Sequence, residues 1–307
     1  MDEALKSNMR ELIKSKRGFE FEAFINKMHL IQYGSNGYQP TRERSDDGAE
    51  GLIINLRTII AAYGPDSYKA IEFLKKVNAD FEDYLNKWAT TNPNWSLYYN
   101  NSLAPEQIRI SDKLKEQAKN RSYSPDMIIV KGIDQIMQLI EGEFNNRQQR
   151  EIATYLHVPK ELMIFDHIRT IIDDLIRGVG IDEDNIKYKI EVNVLDKIRL
   201  NYSEGDAKSA EEEYKDLIED GSLKRIWGIL ATFENEQINS LKHRIKNEFN
   251  NINGNFREKI SSLTEKILNK YTSGMDDDFE HYTRALLVHC FEQCMIGDKT
   301  TNEKERK

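Results

Sequence analysis

The sequence predicts an α+β protein in which an N-terminal α/β sandwich with a mixed sheet precedes a mostly α-helical C-terminal domain. In the first 130 residues, short β-branched runs alternate with segments whose apolar residues recur every three or four positions. This order of strands and amphipathic helices is typical of a sheet covered by helices. After residue 132 almost every segment has helical spacing. We therefore divide the chain into domains at 1–130 and 131–307.

Local patterns define the N-terminal elements. Phenylalanine, isoleucine and methionine recur at helical spacing over 17–33, and turn residues end this helix at 34–37. A longer helix is predicted over 66–88, where Ile71 and Leu74 begin an apolar stripe. A further helix is expected over 104–120, with strands over 37–42, 52–54, 58–63, 95–100 and 127–130. The sheet and its helices should bury Ile53, Ile59, Ala61, Phe73 and Phe81.

The C-terminal domain is predicted as a series of helices with one strand. Its strand-like run covers 186–192. The expected helices cover 133–143, 146–156, 159–177, 207–219, 222–233, 236–253, 255–271 and 276–296. Broad apolar stripes on these helices are typical of a helical core, and they also suit docking onto a partner subunit.

Composition narrows the class of protein. The 307 residues are 39% hydrophobic, which is enough for a packed core, and 44 Lys+Arg against 52 Asp+Glu give a net charge of −8. There is no run of eighteen apolar residues, and the charged N-terminus lacks the apolar region of a signal peptide. We therefore expect a cytoplasmic protein with no membrane partner. The negative charge restricts DNA binding to a local basic groove.

Two short motifs that contain acidic residues lie in the N-terminal domain. The chain reads G-F-E-F-E over 18–22 and D-D-G-A-E-G over 46–51. Hydrolysis of a phosphodiester with Mg²⁺ needs carboxylates that converge on the ion and a cation near the phosphate. Glu22 on a helix and Glu50 at the start of a strand suit this chemistry, with Asp46 in the turn as a third ligand. Ordinary helix-surface and turn residues are the alternative interpretation.

These patterns resemble those of a known family. G-x-x-F-E-x-F over 18–24 and D-x-G-x-E-G over 46–51 are similar to signatures of Mrr-like restriction endonucleases, which belong to the PD-(D/E)xK nuclease superfamily. The resemblance implies a restriction-endonuclease-like N-terminal domain that cleaves DNA. It also implies that Glu22 and Glu50 are catalytic and that Glu22, Asp46 and Glu50 bind Mg²⁺.

The chain departs from this family where the catalytic lysine is expected. Those nucleases have an acid-x-Lys or Gln-x-Lys sequence on the next strand, whereas this chain has A-A-Y over 61–63. We predict that Lys69, in the helix that follows, replaces the missing cation. An exposed helix lysine is the alternative interpretation of Lys69. A catalytically inactive scaffold that keeps the nuclease fold for DNA binding or assembly is the alternative function.

A second resemblance covers more of the chain. A-Y-G-P-D over 62–66, W-x-x-Y-Y-N-N over 95–101 and V-L-D-K-I-R-L-N-Y-S over 194–203 are similar to bacterial ABC-three-component conflict systems, a group that includes the Lamassu antiphage systems. This likeness implies an antiviral nuclease effector. Its helical domain would dock onto an SMC-like ABC ATPase and a small third subunit, or onto a second copy of the chain. An unrelated helical adaptor is the third hypothesis.

Two further patterns concern metals and nucleotides. Cys290 and Cys294 lie four residues apart on one predicted helix, beside His289. Zinc sites use four ligands with more compact spacing, so a buried thiol pair is the better interpretation. The chain contains no G-x-x-x-x-G-K-[ST] sequence, which argues against an ATPase of the P-loop type.

Overall fold

The computed structural model describes residues 1–41, 48–177, 193–271, 277–293 and 295–299. The protein is α+β, with a five-stranded mixed sheet and a larger number of helices. The chain divides into two compact units between Pro159 and Lys160.

The first unit contains the sheet. Its helices are α1 (Glu3–Ser15), α2 (Gly18–Gly37), α3 (Ala70–Lys87), α4 (Pro105–Ile108), α5 (Ile110–Asn120), α6 (Ile133–Glu143) and α7 (Asn146–Tyr155). Its strands are β1 (Tyr38–Pro40), β2 (Gly51–Ile53), β3 (Thr58–Tyr63), β4 (Asn94–Tyr99) and β5 (Ile128–Lys131). Every strand predicted in this part of the chain is present, with ends that differ by at most two residues.

The five strands lie across the sheet in chain order, from β1 to β5. The β1–β2 and β2–β3 pairs are antiparallel, whereas the β3–β4 and β4–β5 pairs are parallel. A short turn joins β2 to β3, as antiparallel strands allow, and α3 and α5 lie in the longer crossovers that parallel strands need. The predicted mixed sheet is therefore confirmed.

Helix α3 packs one face against this sheet. Phe73, Val77 and Phe81 are fully buried at intervals of four residues, in a core shared with β3, β4, β5 and α5. Ile71, by contrast, is 83% exposed, and Leu74 is also exposed. The predicted apolar stripe is wrong at these two positions, because they lie away from the face that Phe73 and Val77 define. The residues predicted to be buried are all buried, namely Ile53, Ile59, Ala61, Phe73 and Phe81.

Helices α6 and α7 belong to the first unit, whereas the domain division at 130/131 placed them in the second. Helix α6 packs against β4 and β5, and α7 packs against α2. Ile133, Ile136 and Ile140 form the buried stripe of α6. An apolar stripe indicates that a helix is packed but does not indicate its partner.

The second unit is helical. Its elements are α8 (Lys160–Ile176), α9 (Val194–Asn201), α10 (Glu204–Glu219), α11 (Ser222–Leu230), α12 (Asn235–Asn250), α13 (Phe256–Tyr271) and α14 (Asp277–Glu292). One apolar core joins these helices. The strand predicted over 186–192 lies outside the described residues.

Through Lys197, the 194–203 segment contacts the C-terminal end of α14. This lysine of α9 is buried and donates hydrogen bonds to the main-chain oxygens of Phe291 and Ile296, the second at 3.0 Å. The last carbonyl groups of a helix have no partner inside the helix, so a buried ammonium group there stabilises its end. The segment therefore holds the C-terminal end of α14.

Candidate functional site

Glu22 and Glu50 line the same cavity in the first unit, with a volume of about 380 Å³. Glu22 lies in the second turn of α2 and is partly exposed. Glu50 directly precedes β2 and is only 7% exposed. The structure thus brings together the two acids selected from the sequence as catalytic residues.

Two glycines place Glu50. Gly48 has a φ of 78°, and a Cβ atom there would lie 2.9 Å from Cβ of Asp83 on α3. A Cβ atom on Gly51 would lie 2.1 Å from the hydroxyl oxygen of Tyr38. Gly48 therefore allows both the left-handed conformation and the close approach to α3, and Gly51 allows the close approach of Tyr38. The Glu50 N–H donates to the carbonyl of Ile60 at 2.8 Å, which joins the turn to β3.

The turn after β3 fixes the start of α2. The Gly18 N–H donates a hydrogen bond to the carbonyl of Gly64 at 2.7 Å. A Cβ atom on Gly64 would lie 2.6 Å from Cβ of Phe21, so the turn packs directly on this buried ring. The two sequence patterns at 18–24 and 62–66 are therefore in contact. Glu22 follows Phe21 and is held beside the sheet by this packing.

Lys76 and Asp80 complete the group of charges. Lys76 Nζ lies 2.7 Å from Asp80 Oδ1, and the two residues are one turn apart on α3. Burial lowers the pKa of Lys76, but the charges of Asp80, Glu50 and Glu22 raise it by more, so the pKa is raised overall. We call Glu22, Glu50, Lys76 and Asp80 the acid–lysine cluster.

The carboxyl group of Glu50 has a raised pKa. Burial raises the pKa of its carboxyl group to about 8, with Asp80 and Glu22 adding to the increase and Lys76 opposing it. The backbone N–H of Ala62 lowers this pKa slightly, and Glu50 Oε2 is buried with no hydrogen-bond partner. At neutral pH the side chain is therefore mostly protonated unless a cation binds beside it.

The other two residues predicted for the site are Lys69 and Asp46. Lys69 is at the N-terminal boundary of α3, where its exposed ammonium group lies 2.9 Å from Glu72. The lysine that acts on Glu50 is Lys76, which is seven residues further along the same helix. Asp46 lies outside the described residues.

The sequence contains a pattern that could have identified Lys76 and Asp80 as part of the site. Each directly precedes a residue of the buried stripe, Val77 or Phe81, so both lie at the edge of the sheet-facing side of α3. An acid and a lysine at i and i+4 beside a buried stripe indicate charges held against the sheet. This signal depends on knowing which apolar stripe is buried.

The carboxylate oxygens at the cavity decide whether it could hold Mg²⁺. Within the described residues, no three His, Cys, Asp or Glu side chains are grouped so as to hold a metal ion. Mg²⁺ prefers oxygen ligands and is often held by one or two carboxylates together with water and substrate phosphate. Glu22 and Glu50, with the unpartnered Oε2 of Glu50, fit that smaller donor set.

A contact among Ser222, His281 and Asp220 lies in the second unit. His281 Nε2 is 2.8 Å from Ser222 Oγ and 2.9 Å from Asp220 Oδ2. A nucleophile relay needs the serine on one ring nitrogen and the acid on the other. Here both partners meet the same nitrogen, and the Ser222 N–H donates to Asp220 Oδ1 at 2.8 Å. The contact therefore stabilises the start of α11.

The thiol of Cys290 is fully buried, and burial raises its pKa to about 12. A thiol with so high a pKa is a poor nucleophile and a poor metal ligand at neutral pH. This agrees with the interpretation of Cys290 as a core residue. Cys294 lies outside the described residues.

No protein-family model, curated protein or solved structure matches this chain. None of the helices in the described ranges is long and apolar enough to span a bilayer. The functional assignment therefore rests on the residues of the chain itself.

Proposed function

We propose that the protein is a Mg²⁺-dependent DNA endonuclease, with a first unit that is a restriction-endonuclease-like domain of the Mrr-like kind. One observation carries the proposal. Glu22 and Glu50 meet at one cavity, and Lys76 interacts with both acids. A mixed sheet between helices, an acid from α2 and an acid at the start of β2 are the parts that the resemblance implies.

Glu22 and Glu50 would hold the metal ion. A bound Mg²⁺ would stabilise charge on the phosphate and lower the pKa of its water. Glu50 must lose its proton to become a ligand, and the positive charge of Lys76 favours that loss. Asp46 is retained in the proposal as a third ligand.

Lys76 would supply the cation that A-A-Y over 61–63 lacks. Its ammonium group is held in place by Asp80 and interacts with Glu50 and Glu22. In this position it can stabilise the negative charge that develops on the attacked phosphate. The catalytic lysine would thus come from α3 rather than from β3.

Cleavage of a supercoiled plasmid in Mg²⁺ tests the proposal. We expect Glu50→Gln to abolish cleavage and Lys76→Met to lower the rate by about 10²–10³-fold, as for other single donors to a developing anion. Lys76→Arg should keep part of the activity. Lys69→Met is the matched control, and its rate should stay within about twofold of the wild type.

Metal titration provides a readout that does not depend on turnover. In calorimetry, Glu50→Gln should weaken Mg²⁺ binding, whereas Lys76→Met should retain it. Cleavage that survives Glu50→Gln, or equal losses for Lys69→Met and Lys76→Met, would contradict the proposed roles. Variants should be compared only when their circular dichroism matches the wild type.

A catalytically inactive DNA-binding scaffold is the second candidate function. The absence of a three-ligand metal group in the described residues and the A-A-Y sequence over 61–63 favour it. The same assay separates the two functions. A scaffold would bind DNA without Mg²⁺-dependent cleavage, and Glu50→Gln would leave its DNA affinity unchanged.

The proposed partners are DNA, an SMC-like ABC ATPase and a small third subunit of a Lamassu-type defence complex. We assign the docking role to the second unit, in which Trp227 and Ile218 are large apolar residues that remain exposed. Co-expression with an ATPase gene that neighbours this one should yield a complex that Trp227→Ala weakens. Light scattering of the isolated chain tests the alternative, which is self-association.

A further inference from the structure

The cavity beside Glu22 and Glu50 has an aromatic residue at its edge. Phe19, in the first turn of α2, lines the cavity and is 68% exposed, although Phe21 and Phe24 of the same helix are buried. Phe19 precedes Glu22 by three residues, so both side chains lie on one side of the helix, with Cβ atoms about 5–6 Å apart. An exposed ring therefore lies one helical turn from a proposed metal ligand.

A second ring and two lysines belong to the same region. Tyr155 lines the cavity, and Lys16 Nζ lies 5.6 Å from the centre of its ring. Lys27 also lines the cavity, with Nζ 2.7 Å from Glu151. Proteins that bind single-stranded nucleic acids combine positive charge for the backbone with aromatic rings on which bases stack. Phe19, Tyr155 and Lys27 line the cavity, and Lys16 lies beside it at the ring of Tyr155.

We propose that Phe19 stacks on an unpaired base and that the preferred substrate is single-stranded DNA. This inference rests on the nuclease function proposed above. In a duplex, both faces of each base are covered by neighbouring bases, so a protein ring can stack only where a base is unpaired. Because Phe19 is one helical turn from Glu22, the stacked base would lie next to the phosphate at the proposed metal site. Lys16 and Lys27 would bind the flanking backbone.

Fluorescence anisotropy with the full-length protein tests this inference. The probes are a labelled 20-nucleotide single strand of mixed sequence and the matching duplex, both in EDTA so that no cleavage occurs. We expect the single strand to bind at least fivefold more tightly than the duplex. Phe19→Ala should weaken single-strand binding about tenfold, as expected for the loss of one base–aromatic stack, and Phe19→Trp should retain it.

Ile71→Ala is the matched control, because Ile71 is an even more exposed apolar residue of the same unit that does not line the cavity. It should leave binding unchanged. Phe19→Trp gives a direct readout, since its added fluorescence should be quenched by the single strand and not by the duplex.

Three outcomes would overturn the inference. These are wild-type affinity in Phe19→Ala, equal affinity for single strand and duplex, and no binding of the single strand. Plasmid cleavage that persists in any of these cases would leave the nuclease proposal intact. Conversely, Phe19-dependent binding of single strands without cleavage would contradict the nuclease function while supporting the stacking role.

Discussion

Lys76 Nζ lies 2.7 Å from Asp80 Oδ1, and Asp80 is buried. The two residues are one turn apart on α3, so the helix itself sets the position of the ammonium group. The charges of Glu50, before β2, and Glu22, on α2, act on that ammonium group and raise its pKa. One helix thereby supplies both a cation and the acid that orients it.

The stability of the protein should depend on pH through Glu50. The folded-state pKa of about 8 lies above the ordinary value of 4.5, so the folded state retains a proton that the unfolded state loses. Stability from this group is full below about pH 4.5 and falls as the pH rises to about 8, by a total on the order of 4 kcal/mol. Urea unfolding in EDTA at several pH values measures this fall.

Glu50→Gln should remove this dependence. The variant cannot ionise at position 50, so its free energy of unfolding should exceed that of the wild type by an amount that grows between pH 5 and pH 8. Parallel curves for the two proteins would show that Glu50 is not a buried, mostly protonated acid.

Mg²⁺ binding should release a proton at pH 7. Glu50 is mostly protonated there, and a ligand carboxylate must be ionised. The apparent affinity should therefore rise by up to about tenfold per pH unit and level off above pH 8. Calorimetry in two buffers with different ionisation enthalpies measures the released proton. Identical heats in both buffers would exclude Glu50 as a ligand.

Asp80→Asn should lower the pKa of Glu50. Asp80 raises this pKa by its negative charge, and its removal also leaves Lys76 able to approach Glu50. Titration of ¹³C-labelled carboxyl groups by NMR should show the Glu50 midpoint moving below its wild-type value. Asp83→Asn, in an exposed ion pair with Lys87, is the control and should leave the midpoint in place. The predicted coupling would be wrong if both variants behaved alike.

Gly64→Ala should destabilise the first unit. The added Cβ would lie 2.6 Å from Cβ of Phe21, a contact that neither backbone can avoid without moving. Overpacking of this kind costs about 1–3 kcal/mol. Gly142→Ala on α6 meets no atom within 4 Å and should be neutral or stabilise the helix by up to about 1 kcal/mol. Chemical denaturation measures the free energy of unfolding of both variants. Equal values would contradict the packing of α2 on this turn.

Lys197→Met should destabilise the second unit by about 2–4 kcal/mol. It leaves the carbonyl groups of Phe291 and Ile296 without the donor that now caps α14. Lys208→Met, at an exposed position of α10, should change stability by less than about 0.5 kcal/mol. A small effect at Lys197 would mean that water replaces the ammonium group.

Much of the fold could be predicted because its signals are local. The strand at 58–63 is a β-branched run, and the helix at 133–143 has regular apolar spacing, so both appear at the expected positions. Two helices, α1 and α9, were missed. Helix α9 has only eight residues, and the buried stripe of α1 (Leu5, Met9 and Ile13) is separated by polar residues, so neither helix contains a continuous apolar run. The packing of α6 on the sheet and of α7 on α2 could not be predicted, because periodicity shows a buried face without its partner.

The sequence by itself determined the α+β class, the positions of the strands along the chain and the two acids, Glu22 and Glu50, that line one cavity. These features depend on residue spacing and on glycines whose conformation is local. Only the tertiary structure selected Lys76 over Lys69, because Lys69 is at the extended N-terminal boundary of α3 and pairs with Glu72, whereas the charge of Lys76 acts on Glu50. It also set the raised pKa of Glu50, since burial and the charges of Asp80, Glu22 and Lys76 act through space between elements that are distant in the chain.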